Sequence, residues 1–274
     1  MKTALVAIGF LVSHAAFAEP TREQLDDRAK ELETKLAGRH FTILVEPPFV
    51  VVGDAPNTKK IATGFLRDKR SLLEQDFFSK RPDKLLEVWL FKNSQDFRKG
   101  AKEFFKDPPD TPFGYYSPDE NALVMNADGL GTLSHELVHP YMEANFPDVP
   151  SWFNEGLASL FEYPSEKNGH IIGLVNWRLP GLKREIKNDT LPPLTTLLAT
   201  STDEFYDAGW DAYAQARYLV YYLQEHDLLH AFFTKFQAGI GDDKTGKATL
   251  EAVLGEDLAT FEPKWRAWVM KLRQ

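Results

Sequence analysis

Two histidines and a glutamate at helical spacing are the residues of this chain best suited to chemistry. His135 and His139 lie four positions apart in the segment HELVH. On an α-helix that spacing places both imidazoles on one face, one turn apart, where they can bind a single ion. Glu136 lies beside that ion, where a carboxylate can act as a general base. The pattern therefore predicts a metal site with a base next to it.

Zinc fits this set of donor groups, because it accepts neutral imidazole and carboxylate in a tetrahedron with one open position. The third ligand should lie on a following element, and Glu155, within the run from Trp152 to Phe161, is the predicted donor. An open His/His/Glu site is a catalytic arrangement, whereas structural zinc sites are usually closed by cysteine. We expect one Zn²⁺ per chain, bound by His135, His139 and Glu155.

The surrounding sequence favours a helix at this motif, since apolar residues mark one side of it: Leu133, Leu137 and Val138. Ser151 is the predicted N-cap of a second helix that carries Glu155. Pro140 breaks the pattern, because a proline inside a helix removes a backbone hydrogen bond. We expect a kink or an early helix end there. The alternative for the whole motif is a surface helix with two incidental histidines.

At these residues the chain resembles a known family. HELVH followed by WFNEGLA is similar to the gluzincin zinc metallopeptidases, above all to their small peptidase MA-like members. In that family the two histidines and the glutamate of an N-E-G-x-A segment bind zinc. The resemblance implies that His135, His139 and Glu155 are ligands and that Glu136 is the base. It covers residues 131–162 well, and the short spacer before Glu155 favours the compact MA-like group.

The resemblance extends less closely to two further positions. Tyr213 opens a helical Y-A-Q-A segment and matches the tyrosine that assists the tetrahedral intermediate in aminopeptidase-type gluzincins. Other tyrosines nearby are interpreted as packing residues: Tyr206, Tyr218, Tyr221 and Tyr222. The segment Ala122–Asn126 matches the edge strand that pairs with substrate in the family, with an ordinary buried hairpin as the alternative. Met125 and Asn126 offer no carboxylate for a free amino terminus, which counts against aminopeptidase activity.

Residues 1–18 are predicted to be a cleaved signal peptide. Lys2 supplies a positive start, Ala4 to Val12 is a short apolar run, and Ala16-Phe17-Ala18 is an A-x-A cleavage site. The apolar run is too short to span a membrane, and no later segment reaches the roughly 20 residues needed. We expect a periplasmic or secreted protein. The absence of cysteine excludes a disulfide framework, although it would also fit a cytosolic chain.

The charge of the chain argues against a nucleic-acid partner. The formal net charge is −8, and no cluster of lysine and arginine is dense enough for nucleic acid. The oligomeric state does not follow from the sequence.

The periodicity of apolar residues predicts an α+β fold with a small mixed sheet. Short apolar runs predict strands at Phe41–Val45, Phe49–Val52, Leu85–Phe91, Gly114–Ser117 and Ala122–Asn126. Helical spacing predicts helices over Thr58–Phe78, over Gln95–Phe105 and through most of the chain after Gly131. We expect an N-terminal α/β lobe at residues 19–130 and a helical lobe at residues 131–274, either as one domain or as two. A gluzincin-like zinc cleft should lie between them.

These expectations together predict an exported zinc metallopeptidase that acts on peptide or protein substrates. A zinc-activated water would attack the peptide bond, with Glu136 as general base and Tyr213 supporting the oxyanion. Glu143 or Glu162 is expected to orient a histidine ligand, because Ser159 occupies the position one turn after Glu155. Two alternatives stay open: a non-catalytic zinc protein that binds peptide or cell wall, and a zinc hydrolase of non-peptide substrates. The intact Glu136 counts against the first.

Overall fold

A computed structural model describes residues 19–106, 108, 111 and 113–274. The predicted signal peptide, residues 1–18, lies outside the described residues. The N-terminal part alternates helices and strands: α1 (Arg22–Lys35), β1 (Thr42–Glu46), β2 (Phe49–Gly53), α2 (Thr58–Lys60), a π-helical segment (Ile61–Leu66), α3 (Arg67–Asp76), β3 (Leu86–Phe91), α4 (Ser94–Phe104), β4 (Gly114–Ser117) and β5 (Ala122–Asn126). The segment from α2 to α3 runs without a break, which confirms the long helix predicted there.

The rest of the chain is mainly helical, as predicted. It comprises α5 (Leu130–Asn145), α6 (Ser151–Leu160), β6 (Pro164–Lys167), β7 (His170–Gly173), α7 (Leu179–Lys187), α8 (Leu194–Leu198), α9 (Thr202–Tyr206), α10 (Ala212–Glu225), α11 (Leu229–Gly239), α12 (Lys247–Leu254) and α13 (Leu258–Lys271). The fold is therefore α+β. In the part of the chain that the structure describes, we find no helix with the length and apolar character required to cross a membrane.

A five-stranded mixed sheet forms the N-terminal part, with the strand order β1-β2-β3-β5-β4. The three central strands are parallel, and the outer two are antiparallel to their neighbours. Because β5 lies between β3 and β4, the prediction that Ala122–Asn126 is the edge strand is wrong. The hairpin was placed correctly, but its first strand, β4, is the one with a free edge. Sequence could not decide this, since it depends on which strand of the hairpin pairs with β3.

Both faces of the sheet are covered, which explains why β2, β3 and β5 are buried along their whole length. On one face α1 and α4 pack through Leu25, Leu32 and Phe97 against Trp89 and Phe91. The opposite face belongs to a larger core, which continues without interruption into the C-terminal helices as far as α13. The sheet therefore supports α5, the helix that carries the HELVH motif.

Two local expectations at the motif differ from the structure. Of the kink or early helix end expected at Pro140, the early end is wrong, because α5 continues to Asn145. Pro140, Tyr141 and Met142 are all buried, so packing outweighs the lost backbone hydrogen bond, which costs about 3 kcal/mol. Ser151 is the first residue of α6 rather than its N-cap. Pro150 takes the cap position, and the Ser151 hydroxyl donates to Thr202 Oγ1 at 3.1 Å.

A half-buried carboxylate fastens α5 to α3. Glu74 accepts hydrogen bonds from Arg81 Nε at 2.8 Å, from the Tyr141 hydroxyl at 2.7 Å and from Arg70 Nη1 at 3.2 Å. Burial raises the pKa of Glu74, but the hydrogen bonds and the two guanidinium charges outweigh burial and lower it. The ionised form is thus favoured in the folded state.

We predict that Glu74→Gln lowers the free energy of unfolding by about 1–3 kcal/mol at neutral pH, the usual effect of removing a charged hydrogen-bond acceptor. Because the folded pKa is below the unfolded value of about 4.3, the contribution is complete above that value and is lost as pH falls through the folded pKa. Urea unfolding should therefore show that the difference in free energy of unfolding between wild type and variant becomes smaller in acid. A difference that widens in acid would contradict this assignment.

Candidate metal centre

The two site helices bring three predicted ligands together. His135 and His139 project from α5, and their ring centroids are 5.1 Å apart. Glu155 projects from the middle of α6 and meets both rings. Its Oε2 lies 3.1 Å from His135 Nε2, and its Oε1 lies 3.9 Å from His139 Nε2. Residues up to 20 positions apart in the sequence therefore lie with their nitrogen and oxygen atoms within 4 Å of one another, as the HELVH…NEG pattern predicted.

The nitrogen and oxygen atoms of the centre are placed better for binding a cation than for hydrogen-bonding to one another. Glu155 Oε2 and His135 Nδ1 are buried and have no hydrogen-bond partner in the described part of the chain. Oε2 lies 3.1 Å from His135 Nε2 without the geometry of a hydrogen bond, so a cation between these two atoms would satisfy both of them. Two imidazole nitrogens and one carboxylate oxygen converging on one point are the donor set of an open zinc site. The residues present therefore suit Zn²⁺.

Glu136 is close to the same two histidines. His135, Glu136 and His139 offer ligand atoms within 4.8 Å of one another, and Glu136 Oε2 is 3.8 Å from His139 Nε2. Glu155 remains the predicted third ligand, because its two oxygens face the two rings and its side chain is 5% exposed. Glu136 lines the same cleft as Glu155, but its side chain is 13% exposed, so its carboxylate is the more accessible of the two.

Two of the three ligands are hydrogen-bonded from outside the centre, and the third has a carboxylate nearby. Asn154 Oδ1 lies 3.1 Å from His139 Nδ1, which can donate to it and leave Nε2 free as a ligand. The Tyr206 hydroxyl donates to Glu155 Oε1 at 2.7 Å. Glu162 Oε1 lies 3.5 Å from His135 Nδ1, close but without a hydrogen bond. The hydrogen bonds of His139 and Glu155 restrain both side chains.

Of the two carboxylates expected to orient a histidine, Glu162 is the one that lies near a histidine ligand. Arg178 donates to it from Nε at 2.9 Å and from Nη2 at 2.6 Å, and Asn176 Nδ2 donates at 2.9 Å. Glu143, the other candidate, faces away toward Lys84 and the Tyr116 hydroxyl. The carboxylate therefore comes from the turn after α6, three residues beyond the position that Ser159 occupies.

The electrostatics of the centre are dominated by buried carboxylates. Burial raises the pKa of Glu155, but the His139 charge and the His135 contact outweigh it and hold the pKa at about 2. Burial likewise raises the pKa of Glu162, while Arg178 and His135 bring it down to about 2. Burial lowers the pKa of His135, yet Glu155, Glu162 and Glu136 raise it to about 10. Positive charge is thus strongly favoured at this point.

Close packing behind α6 keeps the centre in position. At Gly156, next to Glu155, a Cβ atom would lie 3.1 Å from the Ala216 carbonyl oxygen and 3.0 Å from Val220, so any larger residue would push α10 away by a few tenths of an ångström. Arg217, fully buried on α10, donates to the carbonyl of Ser159 at 2.8 Å and to those of Leu160 and Leu174. The end of α6 is thereby tied to α10.

A cleft of about 920 Å³ opens over the centre. Tyr213 lines it, packed against Phe205 at 5.1 Å between ring centroids, with the Arg178 guanidinium 5.1 Å from its ring. Burial raises the pKa of the Tyr213 phenol, and the charges of Glu155 and Glu136 raise it further. The phenol therefore keeps its proton and can act as a hydrogen-bond donor in the cleft.

Sequence reasoning missed two residues of the centre. Tyr206 was interpreted as a packing residue, yet it binds Glu155 directly from α9, a helix of five residues with no catalytic signature. Asn154 was not singled out, although it directly precedes Glu155 in the N-E-G segment and could have been suspected. A second pair of histidines four positions apart, His226 and His230, stacks on Tyr222 and Phe77, and neither belongs to a cluster of possible metal ligands among the described residues.

Comparison with known proteins supplies a family match without an activity. Residues 130–239 match a family model described as a protein of unknown function (DUF1570). The matched segment runs from α5 to the end of α11, so it contains every predicted site residue, while the five-stranded sheet lies outside it. No curated protein matches the chain significantly.

We predict that the purified protein binds one Zn²⁺ per chain and that His139→Ala and Glu155→Gln each lose most of that metal. Zinc should raise the melting temperature of wild type, because an ion that binds only the folded state stabilises it. Metal analysis and thermal unfolding with and without a chelator measure both effects. His170→Ala, at an exposed histidine outside the centre, is the matched control. Equal zinc content in all four proteins would refute the site.

Tyr206 and Tyr213 should separate into different roles. We predict that Tyr206→Phe weakens zinc affinity roughly tenfold, the usual effect of removing a group that orients a ligand. Tyr213→Phe should leave zinc affinity unchanged, because its hydroxyl makes no hydrogen bond to Glu155. Competition with a chromophoric chelator measures both affinities. The reverse result, with Tyr213→Phe alone losing zinc, would show that the two assignments are exchanged.

Proposed function

We propose that this chain is an exported zinc metallopeptidase. The observation that carries the proposal is the convergence of His135, His139 and Glu155 on one point, with Glu136 beside it in the same cleft. A purely structural site would have no use for a cleft or for a base placed in it. The resemblance of HELVH…NEG to gluzincin peptidases supports the same assignment.

Zinc, when bound by His135, His139 and Glu155, would lower the pKa of a water and polarise the scissile carbonyl. Glu136 would take the proton of the attacking water, because its carboxylate lies within 4.8 Å of the ligand atoms and faces the cleft. The same carboxyl group would then pass the proton to the leaving amine. A carboxylate on this helix is well suited to the shuttle, since the neighbouring Leu137 and Val138 are packed in the core.

Tyr213 would stabilise the developing oxyanion. Its phenol is held in the protonated form by burial and by the neighbouring carboxylates, so it can donate a hydrogen bond without adding a positive charge. Arg178 packs against the ring and fixes its position in the cleft wall. Tyr206 is the less suitable donor, because its hydroxyl is already committed to Glu155.

The free edge of β4 would hold the substrate backbone. Among the described strands, β4 pairs with β5 alone, and its residues Gly114, Tyr115 and Tyr116 line the cleft. An extended peptide can add to such an edge as a further strand. Tyr116 also donates to Glu143 on α5 at 2.9 Å, which ties the strand to the helix that carries the ligands.

We predict that Glu136→Gln lowers kcat for peptide hydrolysis by about 10²–10⁴-fold, the range for loss of a general base, while zinc content and melting temperature stay close to wild type. A quenched fluorescent peptide library, incubated with zinc-loaded protein, provides the rate. Glu166→Gln, at an exposed glutamate on β6, should retain full activity.

Two outcomes would contradict the proposal. If zinc-loaded wild type and Glu136→Gln are equally inert on the library but bind its peptides, the chain is a binding protein. If wild type hydrolyses esters or amides of other classes but no peptide, the substrate class is wrong.

A further inference from the structure

We infer that the cleft takes the interior of an extended polypeptide, which makes the chain an endopeptidase, and that a bulky apolar side chain docks beside Trp177. The inference rests on the proposed function and specifies its substrate. It follows from the direction of the cleft, from the pairing of its charges and from two exposed aromatic rings.

The cleft runs the length of α5. One stripe of that helix lines it, and its accessible members are Thr132, His135, Glu136, His139 and Glu143. From Thr132 to Glu143 the stripe extends about 17 Å at 1.5 Å per residue. An extended chain advances about 3.3 Å per residue, so this length has room for roughly five residues. The ligand histidines lie in the middle of the stripe, so substrate can extend to both sides of the scissile bond.

β4 forms a wall along the same axis. Its first residue, Gly114, packs against Thr132 in the first turn of α5, while the side chain of Tyr116 reaches Glu143 near the other end. The strand therefore runs in the same direction as the helix. A peptide added to this edge would follow the strand past the histidines. The wall therefore favours binding of the interior of a polypeptide over binding of its terminus.

The charged groups at the two ends of the cleft are already paired. Arg178, near the start of α5, makes two hydrogen bonds to Glu162. Glu143, near its end, binds Lys84 Nζ at 3.1 Å as well as Tyr116. An exopeptidase needs an available charge to hold a terminal amino or carboxylate group. Among the described residues of the cleft, the charges at both ends are neutralised by the protein itself, which suits an uncharged peptide interior.

Two exposed aromatic residues mark one end of the cleft. Phe113 is 60% exposed and Trp177 is 63% exposed, and both line the cleft. Phe113 precedes Gly114, which contacts Thr132, and Trp177 precedes Arg178, whose partner Glu162 lies against Gly131. Both rings thus lie near the start of α5, Phe113 on the β4 side of the cleft and Trp177 on the Arg178 side. Exposed aromatic surface at the rim of a site indicates a binding function.

The indole ring of Trp177 is held by a neighbouring side chain and has an exposed surface. The Arg178 guanidinium stacks 4.3 Å from its ring centroid and, being held by Glu162, restrains the indole. The exposed part of the ring can pack against an aliphatic or aromatic side chain of the substrate. Burial of such a side chain favours binding in proportion to the apolar area removed from water.

The test uses the full, zinc-loaded protein and peptides of about a dozen residues, acetylated at one end and amidated at the other, in which one position varies between Phe, Leu and Ala. We expect wild type to cleave blocked and unblocked peptides at the same internal bond, located by mass spectrometry. Trp177→Ala should lower kcat/KM about tenfold for the Phe and Leu peptides, mainly through KM, and much less for the Ala peptide. Trp177→Phe should recover most of the loss.

Met270→Ala is the matched control, because it removes an exposed apolar side chain outside the cleft. Cleavage that requires a free terminus, or that releases single residues in sequence, would overturn the inference while leaving the peptidase proposal intact. An equal loss on Phe, Leu and Ala peptides in Trp177→Ala would overturn the apolar subsite. Failure of wild type to cleave any peptide would overturn the proposed function and this inference together.

Discussion

The concentration of buried negative charge around two imidazoles is the constraint on which the site depends. Glu155 and Glu162 both lie within 3.5 Å of His135, and Glu136 approaches His139. Arg178 balances one of these carboxylates, so the others need positive charge from protonated histidine or from a metal ion. Like charges held this close repel strongly in a medium of low dielectric constant. The surrounding structure must therefore be rigid enough to keep them together.

That rigidity comes from layers packed behind the site. The sheet supports α5 from one side, and α10 supports α6 from the other through the contact at Gly156. Arg217 adds a buried positive group at the C-terminal end of α6, where backbone carbonyls carry partial negative charge. Neither residue faces the cleft. Both residues help to fix the position of α6 and therefore of the Glu155 carboxylate. A chain with the same motif but looser packing at these contacts would bind metal poorly.

The sequence predicted the centre well where chemistry follows from local spacing. His135, Glu136, His139 and Glu155 lie on two consecutive helices, so their periodicity and the apolar residues around them were sufficient. The strands and most helices were also recovered, because their apolar patterns are regular. The partners that orient the ligands were harder to find. Tyr206 and Arg178 come from distant parts of the chain, and no local pattern indicates that a given tyrosine will meet a given glutamate. The position of β4 at the sheet edge depended in the same way on long-range strand pairing.

Pro140 leaves a gap in the hydrogen bonding of α5 within the site itself. Proline has no amide hydrogen, so the carbonyl of Glu136 lacks its usual partner one turn later. The turn that joins Glu136 to His139 therefore has one backbone hydrogen bond fewer than an uninterrupted helix. Side chains on both sides of the gap bind other elements: His139 contacts Asn154, Tyr141 binds Glu74, and Asn145 binds the backbone of Lys80. The spacing of the site residues on α5 thus depends on contacts with α3 and α6 as well as on the helix itself.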